Sequence, residues 1–361
     1  MFYCIFAEMQ KPKFTPLLMR WHKETNRREM PWKGEKDPYK IWLSEVILQQ
    51  TRVEQGWNYY ERFITKYPTV QQLAKAKDEE VFKLWEGLGY YNRCKNLLST
   101  ARYIANDLKG EFPQTYDEMI SLKGIGPYTA AAISSFAFDL PFAVVDGNVF
   151  RVLSRVFGIA TATDSTAGKK EFTQLADNVL DRKEPGAYNQ AIMDFGATVC
   201  KPFAALCSTC NLQKICIAYQ EGKVDQLPFK EKVLQKKHRW FYYFLMEHAD
   251  KVLVHKRISK DIWENLFEFY LLESPEQIKW NNASVQQWLK EQFALKDAVE
   301  INISPVSSQQ LTHQQIKGQF IKLKLKKIPK SLEHYQWQPI KKLSALAFPK
   351  FINQYLSQKT V

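Results

Sequence analysis

A helical region followed by a smaller α+β domain is the architecture that this sequence predicts. Three observations carry the expectation. At 361 residues the chain is too long for one ordinary core. From about residue 14 to 220 its apolar residues recur at helical spacing between turn signals. Beyond about 240 the periodic stretches shorten into β-type runs.

The elements follow in order. Lys40 to Thr51 is a densely apolar helical stretch, and Asp78 to Glu86 and Asn96 to Leu108 are amphipathic helices. Tyr67-Pro68, Glu86-Gly87-Leu88-Gly89, Lys109-Gly110, Gly124-Ile125-Gly126-Pro127 and Asp146-Gly147 punctuate them. Residues 1–225 form the helical region, and Gln226-Leu227-Pro228-Phe229 opens a linker over 226–238. In 239–361, Trp240 to Met246, Val252 to His255 and Phe267 to Leu272 read as strands. Ile321 to Lys326 alternates strictly, as a strand with one buried and one wet face does. Ala283 to Phe293 is the best helix of this half, with Val285, Trp288, Leu289 and Phe293 at helical spacing.

Composition narrows the class. With 45% hydrophobic and 25% charged residues the chain has the balance of a soluble globular protein. No apolar run reaches the roughly 20 residues of a membrane helix. Met1 to Glu8 lacks the basic start and long apolar middle of a signal peptide, so a cytoplasmic place and no membrane partner are expected. The net charge of +13 favours an anionic partner, nucleic acid first.

Six cysteines stand at 4, 94, 200, 207, 210 and 216, four of them within 17 residues. Such clustering is no chain-wide disulfide framework and points to a bound metal. Cys200-x6-Cys207-x2-Cys210-x5-Cys216 offers four soft thiolates, which suit a four-iron cluster or a zinc ion.

Leu122 to Thr129 places Gly124 and Gly126 in a turn ahead of the small-residue helix Ala130-Ala131-Ala132. Such a turn exposes backbone N–H groups to a phosphate, or simply joins two core helices. Eighteen residues after Tyr128 stands Asp146, a carboxylate before a glycine that also suits a helix cap. Trp42 to Thr51 places one carboxylate, Glu45, in an apolar helix. Buried there, its pKa rises and it becomes fit for general-acid work; on an exposed face it is an ordinary surface glutamate.

The Gly/Pro hairpin with its aspartate resembles the helix-hairpin-helix superfamily of base-excision enzymes, over residues 14 to 220. Ser44-Glu45-Val46-Ile47-Leu48-Gln49-Gln50-Thr51 is similar to the signature of the adenine DNA glycosylase (MutY) family, and the cysteine spacing to that family's iron–sulfur loop. The resemblance implies an all-α helix-hairpin-helix glycosylase region with a 4Fe-4S cluster on Cys200, Cys207, Cys210 and Cys216, followed by an α+β Nudix-like domain. It implies a monomeric enzyme acting on double-stranded DNA with adenine opposite 8-oxoguanine or guanine. Glu45 would be the general acid and Asp146 the stabiliser of the oxocarbenium-like sugar or the nucleophile. Tyr128 and Asn148 would position the acid and the sugar. Tyr128 stands where strand-cleaving relatives carry a lysine, so a monofunctional enzyme is implied. Met30-Pro31-Trp32 and Asp37-Pro38-Tyr39-Lys40 resemble the entry to the adenine pocket, with Thr51 beside it. Gly87-Leu88-Gly89-Tyr90-Tyr91 resembles the wedge, with Gln50 and Tyr90 candidates for filling the disturbed stack.

The C-terminal half resembles the appended Nudix-like domain, but the glycine, Arg-Glu and Glu-Glu pattern of the metal-binding Nudix helix is absent from the sequence. Leu311-Thr312-His313 corresponds to the family's Phe-Ser-His loop, so Thr312 and His313 are candidate contacts to 8-oxoguanine. Nine lysines and one acid between Lys317 and Lys350 fit phosphate contacts, or a solvated strand face. The rival readings are a bifunctional glycosylase and lyase, a non-catalytic DNA-damage sensor and a Nudix hydrolase.

Overall fold

The computed structural model describes residues 2–231, 236–295 and 298–358. Residues 232–235 of the expected linker lie outside the described residues. Spatial proximity divides the chain into two compact units, Met1–Lys75 with Lys95–Lys232, and Ala76–Cys94 with Val233–Val361.

The helices of the first half are α1 (Phe2–Glu24), α2 (Pro38–Leu48), α3 (Val53–Lys66), α4 (Val70–Lys75), α5 (Asp78–Trp85), α6 (Asn92–Asn106), α7 (Tyr116–Ser121), α8 (Pro127–Phe138), α9 (Gly147–Phe157), α10 (Thr166–Val179), α11 (Pro185–Thr198) and α12 (Ile217–Gln220). Their ends obey local chemistry. Asp37 caps α2 through a side-chain bond from the Tyr39 amide, with Pro38 in the first turn. Thr115 and Glu118 form a reciprocal capping box on α7. Asp146 caps α9, and Gly158 ends that helix in the left-handed conformation.

Helices α2 and α8 pack together and decide what the first unit can do. Each is buried nearly all round: Ile41 to Ile47 on α2 and Thr129 to Ser135 on α8 are out of solvent. The run Ala130-Ala131-Ala132 lets the two helices approach, and Glu45 is carried into the resulting interior at 6% exposure. A second core gathers Phe14 and Leu18 of α1, Val152 and Phe157 of α9, Phe172 of α10 and Phe195 of α11.

The second unit is built on an eight-stranded sheet. Its strands are β1 (Lys237–His248), β2 (Lys251–Lys256), β3 (Phe267–Glu268), β4 (Tyr270–Ser274), β5 (Ala298–Ile303), β6 (Ser307–Gln310), β7 (Gln314–Leu325) and β8 (Gln336–Pro339). The path β3-β2-β1-β7-β5 is extended by β4 on β1, β6 on β7 and β8 on β2. Strands β1 and β7 run parallel from Lys237 opposite Gln314 to Glu247 opposite Lys324. The continuous apolar run on β1 is buried on both faces, as a central strand requires. Helix α13 (Asn282–Phe293) covers one face through Val285, Leu289 and Trp288, the last stacked on Phe244 at 4.0 Å. On the other face α14 (Lys350–Ser357) packs Phe351 and Tyr355 against Phe320.

Two expectations change in detail. The run Phe267 to Leu272 is two strands, β3 on β2 and β4 on β1, with the buried Phe269 between them. The lysines of the alternating strand are partly spoken for: Lys322 pairs with Glu247 at 2.9 Å and Lys324 with Glu300 at 2.5 Å. Three acids of the second unit are likewise taken up internally. Arg239 binds Glu273 and Asp261, and Arg257 binds Asp261 and Glu268, both guanidinium groups lying over the Phe241 ring.

Candidate active site

A cavity of about 610 Å³ in the first unit gathers the four expected catalytic residues together with Trp32 and Thr51. Glu45 and Thr51 enter from the α2 end, Tyr128 from the first turn of α8, Asp146 and Asn148 from the start of α9, and Trp32 from the loop before α2. Ser44 also reaches the lining, with its hydroxyl turned back to the Ile41 carbonyl at 2.8 Å. Trp32 is braced edge-on by Tyr60 at 5.3 Å and by Trp57 at 6.3 Å.

The electrostatics separate the two carboxyl groups. Burial pushes Glu45 up to about 7; the nearby Tyr128 hydroxyl, which donates to the Met193 sulfur at 3.5 Å, opposes the rise, and the neighbouring Asp146 charge adds to it. Asp146 is also raised by burial, but its Oδ1 accepts the Asn148 and Val149 amides, each at 2.8 Å. Its Oδ2 accepts the Asn148 side-chain amide at 2.8 Å. Those bonds at a helix N-terminus favour the charged form. Glu45 thereby titrates near neutral pH, while the bonds to Asp146 favour its charged form against the burial that raises it, the arrangement in which two acids take different roles. Burial and both carboxylates keep the Tyr128 phenol protonated, so it acts as a hydrogen-bond donor.

Asn148 is itself held. Arg151, one turn along α9, donates to the Asn148 Oδ1 at 2.8 Å, the Gly196 carbonyl at 2.7 Å and the Cys200 carbonyl at 2.7 Å. A side chain at Gly196 would run into the Asn148 Cβ at 2.6 Å, so helix α11 needs glycine there. The next turn carries Arg155, which donates to the Lys201 carbonyl at 2.7 Å and reaches the Cys200 sulfur at 3.5 Å. One helix thus connects the aspartate cap to the cysteine loop.

Cys207, Cys210 and Cys216 are each raised by burial, to about 12 at Cys210 and about 11 at Cys216, and the neighbouring cysteines, Cys200 among them, add to the rise. The Leu212 amide donates to Cys210, and the Ala218 and Tyr219 amides to Cys216. Among the described residues no three His, Cys, Asp or Glu side chains converge to hold a single metal ion. Four soft sulfurs on one loop, two of them with backbone N–H donors, fit the ligand set of an iron–sulfur group.

The remaining candidates stand elsewhere. Gln50 is exposed just past α2 in the left-handed region, with φ +56°. Gly124 takes φ +81° in the turn before α8, and a Cβ there would meet the Asn96 Cβ at 2.7 Å. Gly126 is the N-cap of α8. The Lys123 side chain is exposed and does not line the cavity. In the second unit Tyr90 is 40% exposed, with φ +49°, and its hydroxyl bonds the Thr312 hydroxyl. Thr312 and His313 form the exposed turn between β6 and β7. Sequence reasoning missed Arg28, Lys33, Gln190 and Asp194. The one visible signal was Asp194 itself, a carboxylate in the apolar run of α11.

Comparison with known proteins agrees with this layout. The model of HhH-GPD superfamily base excision DNA repair proteins matches residues 43–177, and that of the NUDIX domain matches 242–358. An adenine DNA glycosylase of Buchnera aphidicola from Acyrthosiphon pisum is 34% identical over 285 residues, 78% of this chain and 79% of that protein. The adenine DNA glycosylase of Homo sapiens is 42% identical over 235 residues, 62% of this chain and 43% of its own length. A thermostable thymine-DNA glycosylase superposes with a TM-score of 0.55 at 29% identity, covering 59% of this chain and 98% of that one. An endonuclease III–DNA complex gives 0.51 at 22% identity over 59% of this chain and 97% of that one, a likeness of fold alone. No described helix is long and apolar enough to cross a membrane.

Proposed function

This chain belongs to the adenine DNA glycosylase family of base-excision repair enzymes, and we propose that its cavity removes adenine mispaired with 8-oxoguanine or guanine in double-stranded DNA. It is a DNA repair glycosylase, a hydrolase of N-glycosidic bonds. The observation that carries the proposed chemistry is a buried Glu45 near neutrality in the same cavity as an amide-bound Asp146.

The reaction follows from those two environments. Adenine leaves its sugar reluctantly because, unprotonated, it departs as an anion. The flipped base enters the cavity beside Trp32 and Thr51. Protonated Glu45 gives its proton to adenine N7 as the C1′–N9 bond breaks and its electron pair passes to the base. Positive charge left on the sugar is met by Asp146, by charge or through a transient adduct at C1′. Water then adds to C1′, and Glu45 takes up the proton released. The Tyr128 hydroxyl orients the Glu45 carboxyl, and Asn148 fixes the oxygens of Asp146.

Several features support a monofunctional enzyme. Tyr128 occupies the hairpin position where a lyase needs an amine, and Lys123 points to solvent. Lys33 does line the cavity, but its nitrogen bonds the Arg28 carbonyl and Asp194. We propose Thr312 and His313 for contact with the opposite base, and Tyr90, whose hydroxyl bonds that of Thr312, for filling the disturbed stack; Gln50 is a separate candidate for that filling role. Backbone amides around Gly124 and Gly126 would hold a DNA phosphate. Cys200, Cys207, Cys210 and Cys216 would hold one 4Fe-4S cluster, which supplies structural support and an electrostatic contribution to DNA binding. The enzyme would work as a monomer on chromosomal DNA in the cytoplasm.

The test is single-turnover cleavage of duplexes carrying adenine opposite 8-oxoguanine, guanine or thymine, read with and without alkali. Alkali-dependent cleavage favouring 8-oxoguanine is expected. Strand cleavage without alkali would instead make the enzyme bifunctional. No base release by cluster-loaded protein would leave a DNA-binding sensor. Iron and acid-labile sulfide in equal amounts are expected, and zinc alone would overturn the cluster.

A further inference from the structure

The wall of the cavity that carries Trp32 has no regular secondary structure. Between α1 and α2 the chain passes through residues 26–37 as turns and loop, yet Arg28, Met30, Trp32 and Lys33 all reach the lining. Met30 and Trp32 are only 8% exposed, so the segment is held tightly in spite of its irregular backbone. Hydrophobic contact with α3 accounts for the Trp32 ring. It does not account for the charged residues on either side.

Those residues meet at one point. Asp194, on α11, has no solvent exposure. Its Oδ1 accepts Arg28 Nη1 at 3.0 Å and Gln190 Nε2 at 3.0 Å. Its Oδ2 accepts Asn26 Nδ2 at 2.8 Å and Lys33 Nζ at 3.3 Å. Lys33 Nζ also donates to the Arg28 carbonyl at 2.6 Å, closing the loop on itself. Four donors match the roughly four acceptor directions of one carboxylate. Three of the four come from the loop, and Arg28, Lys33 and Gln190 all line the cavity.

We propose that Asp194 is a positioning residue for adenine capture: it fastens the loop carrying Trp32 and so shapes the wall against which the extrahelical base is held. The inference rests on the adenine-excision reading. It concerns a residue that touches neither substrate nor Glu45 and acts through the loop. A carboxylate burying itself to hold core elements would bond core partners. Here the cationic partners remain 23% and 26% exposed at the cavity, so the pairing orders a binding surface. Misplacement of such a surface by about 1 Å costs about 10²-fold in rate.

The experiment compares wild type with Asp194→Asn, which keeps the shape and removes the charge and one pair of acceptor directions. Expected is a fall of about 10²-fold in the single-turnover rate constant on the adenine·8-oxoguanine duplex, with duplex affinity unchanged. Trypsin on the DNA-free protein should cut faster after Arg27, Arg28 and Lys33, with no new cuts in the rest of the first unit. Adding Arg28→Ala to Asp194→Asn should slow excision little further, because the two changes release the same contact. Should Asp194→Asn not fold, Asn26→Ala with Lys33→Met leaves the Arg28 and Gln190 bonds in place and must shift both readouts in the same directions. An unchanged rate constant, or a loss of affinity and rate together with general proteolysis, overturns the assignment. Failure of wild type to release adenine would sink the excision reading alone, since the trypsin comparison reads the loop without turnover.

Discussion

Removing the Tyr128 hydroxyl should make the enzyme relatively better at high pH. The Tyr128 hydroxyl, which also reaches the Met193 sulfur at 3.5 Å, favours the Glu45 carboxylate and thereby lowers its pKa from what burial and Asp146 alone would give. A hydrogen bond to a charged group contributes about 1.5–3 kcal/mol. At about 1.4 kcal/mol per pKa unit this is about one to two units. In Tyr128→Phe the alkaline limb of the single-turnover profile should therefore move from near pH 7 to about pH 8–9. With a limb at 7, only about 3% of Glu45 is protonated at pH 8.5; with a limb at 8.5, about half is. Normalised to its own plateau, the variant should keep at least about tenfold more activity at that pH, whatever its absolute rate. Because Glu45 and Asp146 interact, the limb belongs to the pair, and its movement is the quantity to read. A limb that stays at 7, or moves to lower pH, would refute both the general-acid role and the assigned direction of the bond.

Glu45→Gln and Asp146→Asn should each abolish base release while sparing mismatch binding, checked by single-turnover cleavage beside a band-shift titration. Glu45→Gln should also change stability with pH. A carboxyl raised from 4.5 to about 7 contributes stability below 4.5 that is lost as pH rises through 7. The difference of 7 − 4.5 amounts to about 3 kcal/mol, so urea unfolding of the first unit should lose its slope in that window in the variant. Arg151→Met frees Asn148 and the Cys200 carbonyl together, so excision should fall by at least about tenfold, the loss of a charge-assisted bond; an unchanged rate would show that Asn148 is held by Asp146 alone. Thr312→Val removes the partner of the Tyr90 hydroxyl. It should narrow the preference for 8-oxoguanine over guanine while leaving excision opposite guanine nearly unchanged, as measured on paired duplexes.

Much of this site is visible in the one-dimensional string because its chemistry depends on exceptions to local rules. A lone carboxylate in the apolar run of α2, four cysteines within 17 residues and a glycine turn before a small-residue helix are each improbable without a purpose. The alternation of Ile321 to Lys326 likewise foretold a half-buried strand, and β7 has that burial pattern. Local periodicity records which face of an element meets the core, so these features need no knowledge of the partner.

The sequence by itself determined a helical region followed by a sheet-bearing one, and it singled out the candidate acid, the aspartate at a helix start and the four clustered cysteines. Only the tertiary structure decided how those groups behave. Glu45 reaches about 7 because α8 excludes water from it and Asp146 lies nearby. Asp194 collects Asn26, Arg28 and Lys33 from more than 160 residues away, and Tyr90 meets Thr312 across 222 residues. Such pairings are set by how helices and strands pack, a global minimum over many weak contacts, and no local window of sequence contains that sum. Desolvation and charge proximity follow from packing, so reactivity is decided one level above the motif.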